Sequence, residues 1–83
     1  MERPEMRKSV RYPKRHAAEV ILGEREPPVC CVIWDISSGG ARLAVARRLA
    51  DIPGTFTLML SKDVERRCQV VRKDTRFVYV RFT

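Results

Sequence analysis

Nothing in this sequence is both long and apolar. Its longest unbroken hydrophobic run is six residues, 29–34, against the roughly 20 that a membrane-spanning helix needs. The N-terminal stretch is basic, with no apolar segment after it of the kind a secretory signal carries. Histidine occurs once, at His16, and cysteine three times, at Cys30, Cys31 and Cys68. Zinc takes four ligands at suitable spacings, so no metal site is expected. An odd number of thiols without a secretory signal points instead to reduced cysteines packed as small hydrophobes. No glycine-rich phosphate loop follows a strand, no GxSxG elbow occurs, and the lone histidine has no evident catalytic partner. The acids after residue 30 fall mostly in or beside expected turns, where carboxylates are solvated. The chain therefore reads as a non-enzyme without a cofactor. Four glycines and five prolines in 83 residues are too few for a fibrous or disordered chain. That length leaves room for one domain.

What the sequence has in excess is positive charge. Seventeen Lys and Arg against ten Asp and Glu give +7, and thirteen of the seventeen are arginine. Residues 1–16 supply +4 of this, and their polar, unpatterned text predicts a flexible basic arm. Arginine's planar fork matches phosphate and guanine edges better than lysine's point charge, so an anionic partner is expected. From residue 17 onward the hydrophobic period is two, the signature of strands. Strands are predicted at 17–23, 29–36, 41–45, 54–60, 64–72 and 76–82, with at most one helical turn within 46–53. The expected inward set is Val20, Leu22, Val32, Ile36, Leu43, Phe56, Leu58, Leu60, Val70, Val80 and Phe82. Six short strands joined mostly by short turns predict an all-β domain over residues 17–83. A small six-stranded antiparallel barrel is the natural closure, because it removes exposed edges.

Two local patterns bear on function. In Arg11-Tyr12-Pro13-Lys14-Arg15 the arginines lie four apart, and Pro13 opposes a helix. In an extended segment both face one side, up to about 13 Å apart, which suits two anionic or guanine groups on a large ligand. The second pattern is Asp35-Ile36-Ser37-Ser38-Gly39-Gly40, at the end of the most apolar strand. Asp35 and Ser37 put a carboxylate and a hydroxyl on one side, Ile36 turns inward, and the glycines permit positive φ and close approach of a ligand. By itself this pattern is equally a capped β-turn.

Taken together, RxxxR in a basic arm and DxSxxG at a strand end resemble the signature of PilZ domains. Gly39-Gly40-Ala41-Arg42-Leu43 and Val80-Arg81-Phe82 resemble that family as well, so the likeness spans about residues 7–83. The resemblance implies a split barrel that binds the bacterial second messenger cyclic di-GMP between the arm and the DxSxxG wall. Arg11 and Arg15 would hold guanine and phosphate, and Asp35 would accept from guanine N1–H and N2–H₂. Ser37 would orient Asp35 or bond the ligand, with Gly39 and Gly40 allowing close approach. Arg7, Lys14 and Arg42 are secondary candidates, since Arg7 and Arg11 also read RxxxR. Tyr79 departs from the small residue that relatives often have there. The expected partners are cyclic di-GMP and a downstream protein, with the domain cytoplasmic, monomeric or weakly dimeric, and not inserted in a membrane. Two rival readings are a nucleic-acid-binding barrel, disfavoured because Tyr12, Phe77 and Tyr79 are its only stacking candidates, and a protein-interaction module without a ligand.

Overall fold

A computed structural model describes residues 15–83. Six strands follow in order: β1 (His16–Ile21), β2 (Val29–Ile36), β3 (Gly40–Val45), β4 (Thr55–Ser61), β5 (Val64–Lys73) and β6 (Val78–Phe82). A single 3-10 turn, Leu49–Asp51, sits between β3 and β4. All neighbours are antiparallel, and the ring β1-β2-β3-β6-β5-β4 closes through a β1–β4 pairing. Among the described residues, closure leaves no strand edge to template aggregation. β1 takes in His16, whose ring Nε2–H donates to the Leu60 carbonyl across the closing seam, at 3.2 Å.

The barrel interior is filled by Val20, Ile33, Leu43, Leu58, Cys68 and Val78, all essentially without solvent exposure. Phe56 and Val80 join them, and Leu22, Ile36, Leu60, Val70 and Phe82 pack against the core half-buried. Ile52, next to the 3-10 turn, is buried with them. The Lys73 ammonium holds that segment by donating to the Leu49 and Ile52 carbonyls, each at 2.8 Å.

One member of the expected inward set faces out. Val32 is 36% exposed, and Val29, Cys31 and Ile33 fill its side of the core instead. The reason is a β-bulge. Ile33 pairs with Leu43 and Asp35 with Arg42, so one extra residue, Trp34, is inserted in β2 between two successive β3 partners. A bulge shifts the period-two register by one. Val32 and Ile36 are even-numbered residues of one strand, yet only Ile36 packs on the core. A second bulge in β5, between Val70 and Arg72, leaves Val71 57% exposed.

This assignment of faces is testable by urea unfolding. Leu58→Ala is expected to cost about 2–5 kcal/mol, the range for emptying a packed core site. Val32→Ala is expected to stay within about 0.5 kcal/mol, as on an outer surface. Equal losses would contradict the bulged register.

Candidate functional site

The two bulges flank the β3–β6 pair, and immediately past each stands a charged residue. Asp35 of β2 pairs with Arg42 of β3, Arg42 with Tyr79 of β6, and Tyr79 with Arg72 of β5. Cross-strand partners share a face, so these four form one transverse row on the outside of the barrel. The Asp35 carboxylate is buried, at 6% exposure, and the Arg42 guanidinium bonds it at 2.7 Å. A charge this deep persists only with such a partner.

Arginines layer over aromatic rings beside this row. One step beyond the His16–Ile33 pair, the Arg15 guanidinium lies 3.7 Å from the centre of the Trp34 ring. Trp34 meets Phe77 edge to face at 5.0 Å, and Phe77 meets Tyr79 likewise at 6.3 Å. Arg42 and Arg76 stand over Phe77 at 4.8 and 5.3 Å, and Arg72 over Tyr79 at 4.1 Å. Each such pair is electrostatically favourable and leaves the guanidinium's edge donors for other partners. The Arg42 Nε is buried with no hydrogen-bond partner among the described residues.

Trp34 went unrecognised from sequence, where it was the last residue of an apolar run rather than a stacking group. Its signal was its position next to Asp35, at the point where the run meets DxSxxG.

Ser37 and the glycines build the β2–β3 turn. The Ser37 N–H donates to the Gly40 carbonyl at 2.8 Å, its hydroxyl donates there at 3.4 Å, and the Gly39 N–H donates to Ser37 Oγ at 3.3 Å. The Phe82 N–H donates to the Gly39 carbonyl at 2.9 Å, tying β6 to the turn. No glycine among the described residues takes a positive φ. Gly40 is required by packing instead: a Cβ there would overlap the Val80 carbonyl oxygen of β6. Gly39 has open space around it. Of the expected site residues, Arg15, Asp35, Ser37, Gly39, Gly40 and Arg42 thus lie at or beside this end of the β2–β3 hairpin. Arg7, Arg11 and Lys14 lie outside the described residues.

Two surface concavities differ in chemistry. The larger, about 700 Å³, crosses β1, β2, β3 and β4 and is lined mostly by small apolar groups such as Ala17, Cys30, Val32 and Ala44, with Glu19 and Lys62 as its charged members. The smaller, about 440 Å³, lies against the Ser37–Gly40 turn and is bordered by Arg72, Tyr79 and Arg81. The second, with two arginines and no acid, is the better suited to an anion. Among the described residues no group of three or more His, Cys, Asp or Glu could hold a metal ion, and no helix is long and apolar enough to cross a membrane. Burial pushes the Cys31 thiol up to about 12, with Cys30 and Cys68 adding to the effect, and Cys68 up to about 11. Both stay protonated at neutral pH and unreactive as nucleophiles.

Over residues 5–83 the chain matches the family model described as PilZ domain. The chain belongs to the PilZ domain family. No curated protein and no solved structure gave a significant match. The six-stranded antiparallel barrel expected from the sequence is accordingly that of a family member.

The loop beyond the row carries a pH-sensitive tie. Asp74 accepts from the Arg76 and Phe77 amides at 2.8 Å and from the Tyr79 hydroxyl at 2.9 Å. Those two amides, then the Tyr79 hydroxyl and Arg72, hold its carboxyl at about 2, below the ordinary 3.8. A depressed folded-state value stabilises fully above 3.8 and ceases to do so as the pH falls through about 2. Asp74→Asn is therefore expected to flatten the fall of the thermal midpoint across that window, followed by circular dichroism. Gly40→Ala is expected to lower the midpoint at every pH, because overpacking costs about 1–3 kcal/mol of stability. An unchanged midpoint would mean β6 does not pack against Gly40.

Proposed function

We propose that this PilZ domain is a non-enzymatic receptor for cyclic di-GMP, held between the RxxxR arginines Arg11 and Arg15 and the DxSxxG turn. The observation that carries the reading is the Arg15 guanidinium stacked on Trp34, with the Asp35 carboxylate next along the chain. That grouping offers a guanine base what its edges and charge call for. A flat cationic and aromatic surface accepts the ring, arginine donors meet O6, N7 or phosphate, and a carboxylate takes N1–H and N2–H₂. Arg42 holds the carboxylate in place. Signal relay runs through the basic arm, which orders over the ligand and offers a new surface to a downstream protein. The reading carries a cytoplasmic location with it.

A nucleic-acid-binding barrel remains the second reading, because the row of Trp34, Phe77 and Tyr79 interleaved with arginines supplies the stacking groups whose lack disfavoured it. Against it, Phe77 is buried and the rings of Trp34 and Tyr79 each carry an arginine, so no ladder of open aromatic faces is offered to successive bases.

Calorimetric titration separates the readings. Arg11→Ala and Arg15→Ala are each expected to weaken cyclic di-GMP binding by roughly 1.5–3 kcal/mol, the scale of charge-assisted hydrogen bonds. Asp35→Ala is expected to weaken it too, although that change removes a negative charge and releases Arg42. A purely electrostatic attraction to an anion would strengthen instead. Arg67→Ala, on the exposed face of β5, is expected to have only a small, salt-dependent effect. If Asp35→Ala binds as tightly as the parent, or single-stranded oligonucleotides bind and cyclic di-GMP does not, the receptor reading is wrong.

A further inference from the structure

The half of the row on β5 and β6 lies outside both motifs and has its own binding chemistry. Arg72 and Tyr79 pair across β5 and β6, and the bulge at Val71 brings Arg72 into that pairing. The Tyr79 ring is fixed at both ends. Its hydroxyl donates to Asp74 at 2.9 Å and its partner ring Phe77 meets it edge to face. The Arg72 guanidinium covers one face of Tyr79 at 4.1 Å, which leaves a flat cationic plane facing outward. In the adjacent row Arg81 pairs with Gly40 of the DxSxxG turn and with Gln69. Its guanidinium bonds the Gln69 side-chain oxygen, which spends one of several donors. The groove between these groups and the turn is about 440 Å³, within the roughly 300–1,000 Å³ of small-molecule sites. Its floor includes the buried Ala41 and Val80.

We propose that Arg72, Tyr79 and Arg81 form a second purine-nucleotide subsite, so that the outer wall of the barrel engages both halves of a cyclic dinucleotide. The inference rests on the receptor reading above and adds residues outside both motifs. One base stacks at Arg15 and Trp34 and is read by Asp35. The other stacks on the Arg72–Tyr79 plane, with Arg81 taking a phosphate oxygen. The two stacking places are linked through Phe77, whose ring centre lies 5.0 Å from that of Trp34 and 6.3 Å from that of Tyr79. A ligand with two purines can occupy both, and a mononucleotide, with one base, cannot. The fixed Tyr79 ring and the arginine already stacked on it reduce the ordering cost of binding.

The test is calorimetric titration of the full chain with cyclic di-GMP, using Arg72→Ala, Tyr79→Ala, Tyr79→Phe and Arg81→Ala, with Arg67→Ala as the charge control and thermal midpoints as the folding control. Arg72→Ala and Tyr79→Ala are expected to weaken binding about tenfold or more, the worth of one stacked base. Arg81→Ala is expected to weaken it about fivefold or more, as loss of a charge-assisted bond does. Tyr79→Phe, which keeps the ring and drops the Asp74 tie, is expected to bind within about twofold of the parent. If the parent binds and the Arg72 and Tyr79 variants lose no more than Arg67→Ala, the second subsite is overturned and the receptor reading stands. If Tyr79→Phe loses as much as Tyr79→Ala, the hydroxyl rather than the stacked ring matters, and the subsite is likewise overturned. A parent chain that fails to bind cyclic di-GMP overturns both.

Discussion

One extra residue in a strand of an antiparallel pair reverses the face on which every later side chain of that strand stands, and this barrel uses the effect on both sides of its β3–β6 pair. Trp34 is the inserted residue in β2 and Val71 in β5. β2 and β5 sit on either side of that pair in the closed ring. Their consequence is a line of Asp35, Arg42, Tyr79 and Arg72 across four strands. Without the first bulge Asp35 would follow Ile33 in the inward alternation, as an acid aimed at a core of Leu43 and Leu58. With it, the carboxylate lies under Arg42 on the outside, buried yet within reach of a charged partner. Bulges next to binding sites commonly re-aim a side chain in this way.

The same row explains how a strongly cationic surface is kept orderly. Thirteen arginines on a domain this small repel one another. Arg15, Arg42, Arg72 and Arg76 are each laid over an aromatic ring, which stabilises the cation through the ring quadrupole and fixes its plane. The rings in turn brace one another edge to face from Trp34 to Tyr79. A guanidinium so held retains its in-plane donors and loses less side-chain freedom when an anion arrives. Packing of the outer aromatic layer and readiness to bind an anion are therefore one property of these residues.

The DxSxxG segment has a structural role that its sequence does not separate from the ligand-binding role proposed for it. Ser37 and Gly39 satisfy each other and the Gly40 carbonyl within the turn, and Gly40 lets the β6 backbone pass where a Cβ would overlap Val80. The motif thus first anchors β6 against β3. In doing so it carries Tyr79 and Arg81 to their places beside Arg42 and Gly40. Any ligand chemistry of Asp35 stands on that structural work.

Period-two alternation was enough to locate all six strands to within two residues at either end, because each strand of a small barrel has one wet and one dry face and short turns leave little else for the chain to do. Phe56, Leu58 and Val80 were legible as core for that reason. The RxxxR and DxSxxG spacings likewise pointed to the family, since a short motif is written entirely in neighbouring residues. What neighbours cannot encode is where alternation slips. Val32 has the same text whether or not Trp34 bulges out, and only the pairing of Ile33 with Leu43 and of Asp35 with Arg42 decides between the two registers. The meeting of Arg15 with Trp34, of Arg42 with Asp35, and of Arg72 with Tyr79 depends on partners 19, 7 and 7 positions away in the chain. Those contacts form because the sheet closes on itself and its twist and bulges bring these strands into register, a condition set by the whole barrel at once.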